Sequence, residues 1–123
     1  MEKKKNVLLV DNDKPITEML KIRLENMNFN IVEAGDGLAA ISEIRKNIFS
    51  LVILDLDMPG LNGMDVLRII KSDSKLESVK VIILSGVLDE DIKKTAFELG
   101  CSAFISKPFR ASQIIEKINE ILK

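Results

Sequence analysis

Acidic residues follow two apolar runs of the sequence at short spacing. The run Leu51–Leu54 is followed by Asp55 and Asp57, and the run Val7–Val10 is followed by Asp11. In an extended chain, residues i and i+2 point to the same side, so Asp55 and Asp57 would bring two like charges together at the edge of a core. Such a pair costs free energy unless a positive group lies with it. The spacing therefore predicts a cation or a basic side chain beside these acids.

Complementary polar residues follow two further apolar runs. Ser85 comes directly after Val81–Leu84, and Lys107 follows the run that ends at Ile105, with Ser106 between them. A hard divalent cation, Mg²⁺ or Mn²⁺, prefers carboxylate, phosphate and water oxygens as ligands. Acids, a hydroxyl and a lysine at one place suggest phosphoryl transfer to a carboxylate, with the cation, lysine and hydroxyl holding the phosphoryl oxygens.

The elements that must position these residues alternate along the chain between strand and helix patterns. Short apolar runs predict strands, and apolar residues spaced three or four apart predict helices. The predicted strands are Val7–Val10, Phe29–Glu33, Leu51–Leu54, Val81–Leu84 and Ala103–Ile105. The predicted helices are the Ile16–Met27 stripe capped by Asp13, the Leu38–Ile44 stripe capped by Asp36, Gly63–Lys71, Asp89–Leu99 with Gly100 as its C′ residue, and Ser112–Leu122.

Five strand–helix units in series predict an α/β fold with a parallel sheet covered on both faces. Right-handed crossovers make this an open doubly wound sheet. Ligands of such sheets bind outside the carboxyl ends of the strands, where the polar residues above fall. We expect residues 1–123 to form a single domain, since the chain shows neither an internal linker nor a low-complexity segment.

Composition excludes several classes of function. The chain has 123 residues, 46% of them apolar, and a net charge of −1, so it lacks the basic excess typical of nucleic-acid binding. It has no histidine, which excludes that residue as base, metal ligand or phosphate carrier. A single cysteine, Cys101, allows no intrachain disulfide and suggests a reducing compartment. We see neither a signal peptide nor a membrane span, and we expect a cytoplasmic protein without membrane insertion.

Four segments together resemble the receiver domain of the two-component response regulators. They are "LLVDNDKP", "LVILDLDMPGLNG", "VIILSG" and "GCSAFISKPF", in the order and spacing of that family. The likeness covers essentially the whole chain. It implies a flavodoxin-like (βα)₅ fold with strand order 2-1-3-4-5, a phosphorylation-dependent signalling switch rather than an enzyme, and Mg²⁺ as cofactor. It also implies a sensor histidine kinase or phosphotransfer protein as donor and a downstream protein as target.

The resemblance also assigns roles to individual residues. Asp55 matches the aspartate that accepts the phosphoryl group, Ser85 the hydroxyl that turns toward it, and Lys107 the lysine that pairs with it. Phe104 matches the aromatic residue that changes rotamer on activation. Asp11 and the next residue match the acidic pair that holds the metal, and Asp57 sits where the metal is bound through a backbone carbonyl. The Lys107–Pro108 bond is cis in that family.

One position departs from the family pattern. The second member of the acidic pair is Asn12, a neutral residue, which removes one negative charge from the metal site. Asp57 is a carboxylate at a position that is often neutral or apolar in the family. We hypothesise that the Asp57 carboxylate partly restores the lost charge, with Asp11 and Asp55 as the other acids around the ion.

Two other functions compete with the phosphorylated switch. Asn12 would suit a degenerate receiver that acts only as a docking module, although such domains usually lose the acceptor acid or the lysine. The "ILDLDMPG" segment also superficially fits the D-x-D signature of the haloacid-dehalogenase phosphatases. Those enzymes carry their remaining acids late in the chain, whereas here Asp11 and Asp13 come early.

Overall fold

The computed structural model describes residues 4–58, 62–87 and 89–122, so part of the "DMPGLNG" segment lies outside the described residues. Strands and helices alternate along this chain. The strands are β1 (Lys5–Val10), β2 (Phe29–Ala34), β3 (Leu51–Asp55), β4 (Lys80–Ser85) and β5 (Ala103–Ser106). The helices are α1 (Lys14–Asn26), α2 (Gly37–Lys46), α3 (Gly63–Ser72), α4 (Glu90–Leu99) and α5 (Ala111–Ile121).

The five strands form one parallel sheet in the order β2-β1-β3-β4-β5. This confirms the predicted order 2-1-3-4-5 and the α/β class. The order reverses beside β1, because the chain moves outward from β1 to β2 and then returns to β3 on the other side. The carboxyl ends of β1 and β3 therefore flank the crevice where open α/β sheets bind ligands.

Alternate residues of the central strands feed two separate hydrophobic cores. On β1, Leu8 and Val10 face one core while Val7 and Leu9 face the other. The first core is covered mainly by α2 and α3, and the second by α1 and α5. Because both faces are buried, the strands read as continuous apolar runs instead of alternating ones.

Side-chain caps fix where several helices begin. Asp13 accepts a hydrogen bond from the Ile16 amide at the start of α1, and Asp36 accepts one from the Ala39 amide at the start of α2. Both caps were predicted from the sequence and are confirmed. Gly100 ends α4 with φ +108°, a left-handed conformation that glycine adopts without the steric cost of a Cβ.

The strands extend further than the apolar runs that predicted them. Asp55 and Ser85, expected to follow β3 and β4, are the last residues of those strands. Their backbones continue the parallel ladder, since Asp55 pairs with Leu84 and Ser85 with Ser106. A polar side chain does not end a strand while its backbone still pairs with a neighbouring strand.

Among the described residues, no helix is long and apolar enough to cross a membrane.

Candidate functional site

Backbone hydrogen bonds continue past the strand ends and fix the polar residues there. The Asp11 amide donates to the carbonyl of Ala34 at 3.1 Å, which extends the pairing of β1 with β2 by one residue. The Lys107 amide donates to the carbonyl of Ser85 at 2.8 Å, which does the same for β5 and β4. Each of these residues therefore leaves the sheet in a defined direction at the same edge.

The centre of this edge is an ion pair between the buried Asp55 and the partly exposed Lys107. The Asp55 side chain is 2% exposed, and its Oδ1 lies 3.0 Å from Lys107 Nζ. The same oxygen accepts a hydrogen bond from the Asp57 amide at 2.9 Å. Burial alone would lower the pKa of Lys107, but the hydrogen bond and the charge of Asp55 outweigh it and raise the pKa, so the lysine stays charged.

Asp11 lies beside this pair with one oxygen unsatisfied. It is 4% exposed, and its Oδ1 accepts a hydrogen bond from the Asp13 amide at 2.9 Å. Its Oδ2 is buried and has no hydrogen-bond partner among the described residues. Burial, reinforced by the nearby Asp55 carboxylate, raises the pKa of Asp11 to about 6, while the Asp13 amide opposes the shift. The resting site therefore holds more negative charge than Lys107 can offset.

This excess of buried oxygen and negative charge fits a divalent cation. The orphaned Asp11 Oδ2 is an anionic oxygen of the kind that Mg²⁺ takes as a ligand, and Asp55 lies next to it. No three acidic, histidine or cysteine side chains gather within the described ranges into a group that could hold a metal alone. An ion here would therefore need waters, a backbone carbonyl or phosphoryl oxygens to complete its shell, as Mg²⁺ commonly does.

The Asp57 side chain turns toward the end of β4. Its Oδ2 accepts a hydrogen bond from the Gly86 amide at 2.6 Å and lies 3.8 Å from Lys107 Nζ. Its Oδ1 lies 3.5 Å from the Ser85 hydroxyl oxygen. The carboxylate thus has partners among the basic and polar groups of the site. Its part in metal binding, through side chain or backbone carbonyl, stays a prediction.

Ser85 places a hydroxyl at the floor of the site. The residue is 1% exposed, and its Oγ accepts a hydrogen bond from the Val87 amide at 3.1 Å. This bond holds the oxygen near the strand end, while Gly86 and Val87 above it are exposed. The hydroxyl hydrogen is free to rotate toward whichever acceptor lies nearest.

The remaining predicted residues occupy more peripheral places. Asn12 is exposed, which leaves its contribution to a metal site a prediction. Phe104 is partly buried in β5 and packs against the core on the α2–α3 side, so its role as a switch is likewise untested. The Lys107–Pro108 peptide bond is cis, as the family resemblance implies.

Two glycines complete the site and were not singled out in the sequence. A Cβ on Gly63, at the start of α3, would lie 2.8 Å from the carbonyl oxygen of Asp55 and 2.9 Å from Leu56 Cα. A Cβ on Gly86 would lie 3.1 Å from Asp57 Oδ2. The sequence showed Gly63 at the start of a predicted helix and Gly86 after a predicted strand, but it did not show the neighbours they approach.

Comparisons with known proteins agree on one family. A family model described as "Response regulator receiver domain" matches residues 7–119. The DNA-binding response regulator MtrA of Mycobacterium tuberculosis is 32% identical over 120 residues, covering 98% of this chain and 51% of MtrA. The chain therefore spans about half the length of MtrA.

Two further relatives match over nearly their whole length. The chemotaxis protein CheY-3 of Vibrio cholerae is 31% identical over 124 residues, covering 100% of this chain and 95% of that protein. The solved structure of the non-phosphorylated HemR receiver domain from Leptospira biflexa superposes with a TM-score of 0.90 at 31% identity. That match covers 98% of this chain and 95% of the other.

Proposed function

The chain belongs to the response regulator receiver domain family, and we propose that it is a switch that accepts a phosphoryl group on Asp55. The donor is a phosphohistidine of a sensor histidine kinase or phosphotransfer protein. The observation that carries the proposal is the buried Asp55 carboxylate, held by Lys107 at 3.0 Å beside the orphaned Asp11 Oδ2. This arrangement combines a nucleophilic carboxylate, a positive charge beside it and a carboxylate oxygen that is available to bind a metal ion.

The transfer is a displacement at phosphorus. An Asp55 oxygen forms a bond to phosphorus while the phosphorus–nitrogen bond of the donor phosphohistidine breaks, and the imidazole leaves. The product is an acyl phosphate with up to two negative charges on its terminal oxygens. Bound Mg²⁺ would neutralise part of that charge. It would be held by Asp11, Asp55, Asn12 and the backbone carbonyl of Asp57.

The chain's own residues supply the remaining support for the phosphoryl group. Lys107 is charged and reaches the acceptor carboxylate, so it can follow an oxygen of the phosphoryl group. The Ser85 hydroxyl lies at the same strand edge and can donate to another oxygen. Moving Ser85 toward the phosphoryl group would break its present hydrogen bonds with Val87. The neighbouring strand β5, which carries Phe104, could then shift.

The output is a change in affinity for a downstream protein. Receiver domains act as signalling switches and not as enzymes in the usual sense, which argues against the phosphatase alternative. We propose that residues 1–123 form one receiver domain, that it works in the cytoplasm, and that it binds neither nucleic acid nor membrane directly. A domain that only docks, without phosphorylation, is the remaining alternative, and exposed Asn12 is the feature that favours it.

Phosphorylation by acetyl phosphate tests this proposal. The protein is incubated with Mg²⁺ and acetyl phosphate, and intact mass spectrometry measures the fraction that gains one phosphoryl group. We expect an adduct in the natural protein, none in Asp55→Asn, and none when the metal is chelated. Folded protein that gains no phosphoryl group from acetyl phosphate or from a histidine-phosphorylated donor would leave docking alone as its function.

A further inference from the structure

The Asp57 carboxylate lies among three donors at the ends of β4 and β5. They are the Gly86 amide at 2.6 Å, the Ser85 hydroxyl at 3.5 Å and the Lys107 ammonium at 3.8 Å. We call Ser85, Gly86 and Lys107 the anion cradle. A backbone amide, a hydroxyl and an ammonium group are the donors with which proteins hold phosphate and carboxylate oxygens. In the resting protein, the Asp57 carboxylate is hydrogen-bonded to the Gly86 amide and lies within 4 Å of the other two donors.

The anion cradle also adjoins the acceptor carboxylate. Lys107 Nζ lies 3.0 Å from Asp55 Oδ1, and the Asp57 amide donates to that same oxygen. A phosphoryl group on Asp55 would bring three oxygens into this space with up to two negative charges. The Asp57 carboxylate could not keep its place, because two anions would then share the same few donors.

We propose that Asp57 is an internal competitor for the anion cradle, which its carboxylate must leave before Asp55 can hold a phosphoryl group. The inference rests on the proposed function and adds a regulating residue to it. The carboxylate satisfies the cradle in the resting state and so lowers the rate and the extent of phosphorylation. A partner that draws Asp57 outward would raise both.

The surroundings of Asp57 allow this movement. Its side chain is 31% exposed, whereas that of Asp55 beneath it is 2% exposed, so the carboxylate can rotate into solvent without disturbing either core. Gly86 permits the close approach, since a Cβ there would crowd Asp57 Oδ2 at 3.1 Å. The present hydrogen bond is therefore a local contact that can be made and broken without unfolding.

Two substitutions separate charge from contact. Asp57→Asn removes the negative charge but keeps an amide oxygen that can still accept from the Gly86 amide, and Asp57→Ala removes both. Asp73→Asn is the matched control, because Asp73 lies at the end of α3 and an asparagine can keep its hydrogen bond from the Lys75 amide. All variants are compared with the natural full chain by circular dichroism to verify folding.

The first measurement is the initial rate of phosphorylation by acetyl phosphate in saturating Mg²⁺, read by intact mass. We expect Asp57→Ala to react about tenfold faster, the equivalent of one charge-assisted hydrogen bond given up. Asp57→Asn should lie between Ala and the natural protein, and Asp73→Asn should match the natural protein. Equal rates in the natural protein and both Asp57 variants would overturn the inference.

The second measurement does not depend on turnover. Beryllofluoride, which binds a carboxylate oxygen as a tetrahedral phosphoryl mimic, is titrated by amide NMR, and Mg²⁺ is titrated separately. We expect tighter beryllofluoride binding in both Asp57 variants, each compared at a Mg²⁺ concentration that saturates it, and a shifted Gly86 amide signal in the Ala variant. Weaker Mg²⁺ binding together with weaker beryllofluoride binding would assign the carboxylate to the ion and overturn the inference.

The two proposals fail in different ways. If the natural protein and both Asp57 variants remain folded but none gains a phosphoryl group, the proposed function fails. If the natural protein gains a phosphoryl group on Asp55 and the Asp57 variants gain it no faster, only the competitor role fails. An adduct that forms in Asp57→Ala and hardly at all in the natural protein would support both.

Discussion

Asp11 is held in the resting protein at a cost to stability. Its carboxylate is buried, one oxygen has no partner among the described residues, and the Asp55 carboxylate is close by. A buried polar atom without a partner costs about 1–3 kcal/mol. The residue is nevertheless suited to its proposed task, because a bound cation would supply the missing partner and offset the repulsion.

Replacing Asp11 by asparagine should therefore stabilise the metal-free protein near pH 7.5. The pKa of Asp11 is about 6 in the folded protein and 3.8 when unfolded. The folded state thus binds more protons between these values, and stability falls as the pH rises through that window. We expect Asp11→Asn to raise the free energy of unfolding by about 1–3 kcal/mol above pH 6 and to bring little gain below pH 4.

Urea unfolding with a chelator present measures this difference at both pH values. Asp73→Asn serves as the control for the loss of one acidic group. Added Mg²⁺ should stabilise the natural protein by an amount that grows with the logarithm of its concentration above the Kd, and it should hardly stabilise Asp11→Asn. If Asp11→Asn were less stable than the natural protein in chelator at pH 7.5, the claim that the Asp11 carboxylate destabilises the metal-free protein would be contradicted.

The start of α3 packs closely against the end of β3, the strand that carries the proposed acceptor Asp55. A side chain at Gly63 would meet the backbone of Asp55 and Leu56 at less than 3 Å, and backbone yields less easily than the end of a side chain. The start of α3 is therefore packed directly on Asp55, the proposed phosphoryl acceptor. A helix boundary without a charged side chain of its own at Gly63 thus contributes to the geometry of the site.

Gly63→Ala should destabilise the protein and slow phosphorylation. Overpacking of this kind costs about 1–3 kcal/mol, more than the gain in helix propensity from glycine to alanine. Gly35→Ala is the matched control, because a Cβ there meets nothing within 4 Å. Thermal unfolding and acetyl phosphate labelling of both variants would test this. Equal stability and equal labelling in the two would show that α3 does not fix Asp55.

The connection from α4 to β5 should keep the Cys101 thiol inaccessible to reagents in the folded protein. Cys101 lies there, is buried, and burial raises the pKa of its thiol from 9.0 to about 11. At pH 8 the folded protein then holds about a hundredfold less thiolate than the unfolded chain. We expect a disulfide reagent to label Cys101 at least that much more slowly in buffer than in urea. Comparable rates would mean that this connection opens readily.

The sequence was most informative about the elements and their order. Apolar runs such as Val7–Val10 predicted strands because both faces of a parallel sheet are buried, and Asp13 and Asp36 predicted helix starts because their caps are local. Strand ends were predicted less well. Asp55 and Ser85 belong to β3 and β4 through hydrogen bonds to neighbouring strands, which no local pattern reveals.

Side-chain direction within the site was the part that sequence could not supply. The Asp57 carboxylate contacts the Gly86 amide, 29 residues further along the chain, while its role at the ion stays a prediction. That contact depends on the register of β3 and β4 and on the absence of a Cβ at Gly86. Asp55 with Lys107, by contrast, was predictable because parallel strands deliver their carboxyl ends to one edge.

At the scale of the whole molecule, the sheet lies between two hydrophobic cores, and the polar residues of the site gather at the carboxyl ends of its strands. The acceptor, the lysine and the hydroxyl come from β3, the β5 end and β4, so a change at the site bears on three strands at once. A phosphoryl group there would bias a two-state arrangement only through differential contacts with the two states. We propose that the contacts of the Asp57 carboxylate with Gly86 and of the Ser85 hydroxyl with Val87 differ between the two states.

The most direct test of the account is chemical trapping of the phosphorylated residue. An acyl phosphate is reduced by borohydride, so protein treated with acetyl phosphate and Mg²⁺ and then with borohydride should contain homoserine in place of Asp55. Peptide mass spectrometry reads the position. We predict homoserine at residue 55 only, and none when Mg²⁺ is chelated. Homoserine at Asp11 or Asp57 instead, or the same yield without metal, would contradict the account.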